Sequence, residues 1–239
     1  MLTQQTFDKL YELRLKGMAQ AYHEQLERVD TSGLSFDERF GLMVDQEWQL
    51  RKERRTARRL KNAKLKAQAC VEDIDFRHPR GLDKAVVLDL ATCNWIRAKR
   101  NLILTGPTGL GKTWIANAFC DKACREGFTA RYARVSMLAY EVSIARADGS
   151  LMSYLRKMAK TDLLVLDDWG LNPLGGQAQH DLLEIVDDRV GTGSTIVTSQ
   201  LPVSKWHDTI ADASVADALL DRLLGSATKI EMKGESLRK

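Results

Sequence analysis

The sequence predicts an α/β fold: a five-stranded parallel P-loop sheet flanked by helices, with a small all-α domain ahead of it. Three observations carry that prediction. Residues 1 to about 70 show helical periodicity and no β-rich run. Further on, helical patterns alternate with five short β-rich runs, at 101–105, 129–135, 163–167, 195–199 and 229–232, as in a parallel sheet covered on both faces. A glycine-rich octapeptide, 106–113, directly follows the first of those runs. The 239 residues suffice for one sizeable α/β core plus a smaller appendage.

The elements follow in chain order. Tyr11, Leu15, Met18, Tyr22, Leu26 and Val29 recur every three or four positions, predicting one apolar stripe on a first helix. A break is expected at Asp30-Thr-Ser-Gly. Ser35 and Glu38 then have capping-box spacing, so a second helix is expected to start there and to carry Phe36, Phe40, Val44 and Trp48 toward a core. This helix continues into a basic run: residues 51–69 hold nine Lys or Arg against the single Glu53, while Leu60, Ala63, Ala67 and Cys70 keep a narrow apolar seam. That is +8 within nineteen residues of a chain whose net charge is +4, so the remainder sums to −4. Such a helix can neutralise phosphates and release their counterions, which gives sequence-independent, salt-sensitive affinity for nucleic acid. The candidate contacts are Arg51, Arg54, Arg55, Arg58, Arg59, Lys61 and Lys64. Charge alone does not distinguish a DNA from an RNA backbone.

Residues 71–84 turn acidic and contain Pro79 and Gly81, as an interdomain linker does. The expected organisation is a helical domain at 1–70, a linker at 71–84 and the α/β domain at 85–239. No stretch approaches the length of apolar sequence that a membrane span needs, and the N-terminus lacks signal-peptide regions, so a cytoplasmic protein without a membrane partner is expected. Cys70, Cys93, Cys120 and Cys124 have no C-x-x-C spacing and read as small buried hydrophobes; Cys120 and Cys124 sit one helical turn apart but have no histidine partner nearby in sequence, and the four histidines have no triad or ligand spacing.

Chemistry enters with Gly106-Pro-Thr-Gly-Leu-Gly-Lys-Thr. The pattern G-x-x-x-x-G-K-[ST] lets the backbone wrap closely around phosphate oxygens, while the next helix points its free N–H groups and dipole at them. Gly106, Pro107, Thr108, Gly109, Leu110, Gly111, Lys112, Thr113 and the following Trp114 are therefore the candidate ATP-binding residues. Lys112 is expected at the β- and γ-phosphates and the Thr113 hydroxyl at Mg²⁺. Leu163-Leu-Val-Leu-Asp167-Asp168 supplies the carboxylates that a P-loop enzyme needs at the end of another strand: Asp167 on the metal side, Asp168 to orient or deprotonate the attacking water. The run 195–199 leads into polar groups that in a parallel sheet converge on the ligand, so Gln200, or Ser199 beside it, is expected near the γ-phosphate or the water.

With these three segments in that order the chain resembles the AAA+ ATPases. Leu163-Leu-Val-Leu-Asp-Asp-Trp-Gly-Leu, Thr198-Ser-Gln-Leu-Pro with Trp206-His207, Ala218-Leu-Leu-Asp-Arg-Leu, and Gly234-Glu-Ser-Leu-Arg are similar to the IstB type of transposition helper ATPase. Leu10-Tyr-Glu-Leu-Arg-Leu-Lys-Gly-Met-Ala extends the likeness to the N-terminus. The resemblance implies an ATP hydrolase that assembles on duplex DNA and assists an insertion-sequence transposase. By matched motif it implies Gln200 as sensor 1, Arg222 as an arginine finger acting in trans within a homo-oligomer, and Arg238 as a sensor-2 candidate at the nucleotide. It also tips the basic helix toward duplex DNA. The broad AAA+ pattern has Glu where Asp168 stands, one methylene shorter, which implies slow or partner-stimulated hydrolysis. A DnaC-type helicase loader and a DNA scaffold that ATP merely stabilises are the alternative readings.

Overall fold

The computed structural model describes residues 2–27 and 33–237. Val29, the predicted break at 30–32 and Arg238 lie outside the described residues. Two compact units divide the chain, residues 1–58 and 59–239.

In the smaller unit, α1 (Leu2–Glu12) and α2 (Lys16–Glu27) replace the single first helix expected from the periodicity. The break is a left-handed C-cap on a non-glycine residue. Arg14 adopts φ +59°, its N–H donates to the Tyr11 carbonyl at 3.0 Å, and the Leu15 N–H reaches the Leu10 carbonyl at 2.8 Å. α3 spans Phe36–Ala63, and the unit boundary falls within it. Its start is the predicted capping box: the Glu38 N–H donates to Ser35 Oγ at 3.3 Å, and the Ser35 N–H donates to Glu38 Oε2 at 2.8 Å. The predicted core-facing stripe is different. Phe36, Phe40, Val44 and Trp48 are all exposed, Trp48 to 60%, because α2 meets α3 on another face, where Gly17 packs on Glu47.

The larger unit holds the five strands in their predicted places: β1 (Leu102–Thr105), β2 (Ala130–Arg134), β3 (Leu163–Trp169), β4 (Ser194–Ser199) and β5 (Thr228–Glu231). All pairings are parallel, in the order β2-β3-β4-β1-β5. α4 (Lys84–Ala91) and α5 (Asn94–Arg97) precede β1, and the helices between the strands are α6 (Lys112–Arg125), α7 (Val135–Ala147), α8 (Leu151–Ala159), α9 (Gln177–Asp187) and α10 (Ala213–Leu224). Asp83 caps α4 through the Ala85 N–H, and Asp212 caps α10 through the N–H groups of Ser214 and Val215.

Alternate strand residues go to opposite faces, which is why the strand sequences are apolar throughout. Leu102, Leu104, Leu163, Val165 and Ile196 join one core with α4, α5 and α6. Ile103, Leu164, Leu166 and Val197 join the other with α7 to α10. The segment 71–84, expected as a linker, contributes Val71 and Ile74 to the first core, with Phe76 and Leu82 packed against it. Its acidic residues point outward and mask this apolar alternation in the sequence. No helix among the described residues is long and apolar enough to cross a membrane.

Candidate nucleotide-binding site

The loop between β1 and α6 is shaped by its glycines. Gly106 has φ +137°, and a Cβ there would lie 2.1 Å from the Met232 carbonyl oxygen; at Gly109, φ +85°, it would lie 2.0 Å from Ser236 Oγ. The first strand, the loop and the segment after β5 thus press together with no room for side chains. The Met232 N–H donates to the Thr105 carbonyl at 2.7 Å, and the Leu237 N–H to the Gly109 carbonyl at 3.0 Å.

A cavity of about 700 Å³ opens beside this loop. Of the predicted nucleotide residues, Thr108, Gly109, Gly111, Lys112, Thr113 and Trp114 line it; Gly106, Pro107 and the buried Leu110 shape the loop without lining it. Lys112 Nζ donates to the carbonyls of Gly106 and Pro107, at 2.6 and 2.7 Å. Asp168 and Gln200 stand on the same cavity wall. Ser199, the alternative to Gln200, also lines the cavity, but its hydroxyl is used structurally, donating to the Trp169 carbonyl at 2.8 Å.

Asp167 is completely buried and accepts from three hydroxyls. Thr113 Oγ1 donates to its two carboxylate oxygens at 2.9 and 3.2 Å, Tyr132 Oη donates to Oδ2 at 2.5 Å, and Thr198 Oγ1 donates to Oδ1. Burial, followed by the Asp167 carboxylate, pushes the Tyr132 phenol well above its ordinary pKa, so it stays a donor. Asp168 follows in a left-handed conformation, φ +61°, and Arg134 Nε lies 3.6 Å from its Oδ2. Thr113 and Asp167 are hard oxygen donors held within hydrogen-bond reach of each other, the ligand chemistry that Mg²⁺ takes.

Sequence reasoning missed several residues here. Tyr132 and Arg134 are single polar positions in or at the end of a strand with no motif of their own, and Thr198 entered only as the first residue of the Thr198-Ser-Gln-Leu-Pro segment, with no role of its own. Arg80, 4% exposed, lines the cavity and clamps the loop from outside, donating to the Leu110 carbonyl at 3.0 Å and the Asp75 carbonyl at 3.1 Å. Burial lowers its pKa, with the Asp75 charge opposing the shift. Asp75 lines the cavity too, and its hydrogen bonds with Arg77 hold its carboxyl at about 2. The signal for both was Asp75 and Arg80 themselves, read as linker charges.

Arg222 does not line this cavity. It sits on α10, bound to Asp187 of α9, and its Nη1 donates to the Ala218 carbonyl at 2.9 Å. The seven candidate cations differ, six of them on α3 and Lys64 in a left-handed turn just past its end at Ala63, where the sequence predicted the helix to continue toward Cys70. Arg51 is tied to Glu47, itself buried and accepting from the N–H groups of Gly17 and Met18, and Lys64 lies 3.5 Å from Glu141. Arg54, Arg55, Arg58, Arg59 and Lys61 make no ion pair among the described residues.

The chain is 47% identical, over its full length and 98% of the relative, to a Sinorhizobium fredii protein named as an insertion sequence ATP-binding protein. It is 51% identical, over 85% of its length and 89% of the relative, to one named likewise for insertion sequence IS1162 of Pseudomonas fluorescens. Among solved structures, AMPPCP-bound DnaA from Aquifex aeolicus aligns with a TM-score of 0.59 at 17% identity, over 72% of this chain and 52% of that one, a likeness of fold. The family model described as IstB-like ATP binding protein matches residues 8–239, and the chain belongs to that family.

Proposed function

We propose that this protein is a cytoplasmic ATPase that assembles on duplex DNA and stimulates an insertion-sequence transposase. The observation that carries the hydrolase reading is the convergence of Lys112, Thr113 and Asp168 at one cavity, with the buried Asp167 hydrogen-bonded to Thr113 behind its wall. In it, the loop amides and Lys112 bind the ATP phosphates, with Thr113 and Asp167 as the residues that would hold Mg²⁺. When bound, the metal supplies charge neutralisation at the transferring phosphoryl group. Asp168 orients the attacking water or takes its proton, and Gln200 contacts the γ-phosphate or that water. Arg134 beside Asp168 competes for its carboxylate, which supports slow basal turnover.

Arg222 acts in trans in this reading, reaching a neighbouring subunit's nucleotide, and Arg238 acts as a sensor-2 residue. Residues 1–70 grip DNA and mediate assembly, and 85–239 carry out the ATP chemistry. The basic helix supports phosphate contact without base reading, and the insertion-sequence names of the relatives support a transposase as partner.

Measuring ATP turnover with and without long duplex DNA, while following particle size by light scattering, tests this. ATP with duplex is expected to give large complexes and faster hydrolysis. If DNA changes neither, the reading fails, and stimulation by a replicative helicase, as for a helicase loader, becomes the reading to test.

A further inference from the structure

We propose that Thr198 is a positioning residue that fixes both acids of the site through one hydroxyl, whereas Tyr132 fixes only the first. This deepens the hydrolase reading and rests on it for the roles of Asp167 and Asp168.

The argument starts from the strand register. β3 and β4 pair residue by residue from Leu163↔Ser194 to Leu166↔Val197, and pairing resumes at Trp169↔Ser199. Two residues of β3, Asp167 and Asp168, therefore stand opposite one residue of β4, Thr198. That is a β-bulge, a device that re-aims side chains and leaves ladder groups without their regular partners. Asp168 absorbs the extra residue by turning to φ +61°. Its freed N–H donates to Thr198 Oγ1 at 3.2 Å, and the same hydroxyl donates its proton to Asp167 Oδ1. One oxygen thus acts as acceptor for the backbone of the second acid and donor to the carboxylate of the first.

Thr198 borders the cavity yet is only 1% exposed, so losing its hydroxyl leaves both partners poorly compensated. From the opposite strand, Tyr132 of β2 holds the other Asp167 oxygen at 2.5 Å, while the Asp168 N–H goes to Thr198. The Asp167 carboxylate is pinned from both neighbouring strands, and only the β4 pin also sets the direction in which Asp168 leaves the sheet. Partners of this kind orient metal-side ligands and typically matter 10- to 100-fold (about) in metal affinity or activity.

The test uses the full-length protein, a fluorescent ATP analogue titrated with magnesium chloride, and DNA-stimulated turnover at saturating magnesium. Thr198→Val is expected to raise the magnesium midpoint about 10- to 100-fold and to lower turnover about tenfold or more. Tyr132→Phe is expected to move the midpoint similarly but to lower turnover less than Thr198→Val does, because Asp168 stays aimed. Thr198→Ser, which keeps the hydroxyl, should restore both readouts; Thr198→Ala stands in if the Val variant does not fold.

An unmoved midpoint in the Val or Ala variant would overturn the proposal. So would a turnover loss no larger than that of Tyr132→Phe when Asp168→Asn abolishes hydrolysis. If Asp168→Asn hydrolyses normally, or the unaltered protein does not turn over, the hydrolase reading fails instead, and the magnesium titration alone decides whether Thr198 holds Asp167.

Discussion

The ion pairs on the basic helix make a quantitative prediction about DNA. Of seven candidate contacts, Arg51 is committed to Glu47 and Lys64 to Glu141, leaving Arg54, Arg55, Arg58, Arg59 and Lys61 to meet phosphates. Arg54, Arg58 and Lys61 follow one another at helical spacing along one side of α3. Each phosphate contact contributes about 0.9 to the slope of log affinity against log salt, so five contacts predict a slope near −4.5 and roughly a 500-fold loss between 50 and 200 mM salt. Replacing Arg54, Arg58 and Lys61 together with Gln removes about 2.7 from that slope and leaves roughly a tenfold loss over the same interval. Fluorescence anisotropy of a labelled duplex across a KCl series measures both values. Arg51→Gln is the control: it should lower the thermal stability of the smaller unit and leave the slope nearly unchanged. A triple variant with an unaltered slope, or an Arg51 variant with as large a change as the triple, would refute the assignment.

Other expectations follow from single contacts. Arg222→Ala should leave ATP affinity of dilute protein intact and cut turnover in DNA-bound assemblies by about 10³-fold or more. Mixing it with Lys112→Ala should recover part of the activity, and no recovery in the mixed assemblies argues against action in trans. Arg189, 2% exposed, donates to the carbonyls of Met158, Thr161 and Ser194. Its replacement by Met strands those acceptors at a cost of about 3 kcal/mol or more, read as a melting temperature lowered by roughly 10 °C. Burial raises the Cys93 and Cys124 thiols to about 11 and holds Cys120 well above its ordinary value. A raised folded pKa stabilises below the unfolded value and loses that contribution as pH climbs, so stability should fall from about pH 9 through 11. At pH 8 the native protein should react with a thiol reagent at Cys70 alone, and denaturant should expose all four.

How much of this was legible beforehand depends on whether the signal was local. Strand runs such as Leu163–Leu166, the phosphate loop and the Ser35–Glu38 cap are short-range patterns, and the structure reproduces them. The split between α1 and α2 was hidden because Arg14 takes a left-handed cap where glycine would have announced one. The linker reading of 71–84 gave weight to charge, whereas Val71, Ile74 and Phe76 alternate into the core. The roles of Tyr132 and Thr198 were hidden for a different reason. Their meaning comes from strand order: β3 lies between β2 and β4, and only that adjacency brings both hydroxyls to Asp167.

The sheet order also bears on how the protein comes into being on the ribosome. β1 pairs only with β4 and β5, whose strands begin at Ser194 and Thr228, and the phosphate loop after β1 is braced by Met232 and Leu237. Until those residues leave the exit tunnel, β1 has two bare edges and the loop has no outer wall. Contacts so distant in sequence form slowly, and unpaired strand edges invite association in the meantime. A nascent chain halted before residue 228 would therefore expose β1 and gain no protection from ATP, however long it waited.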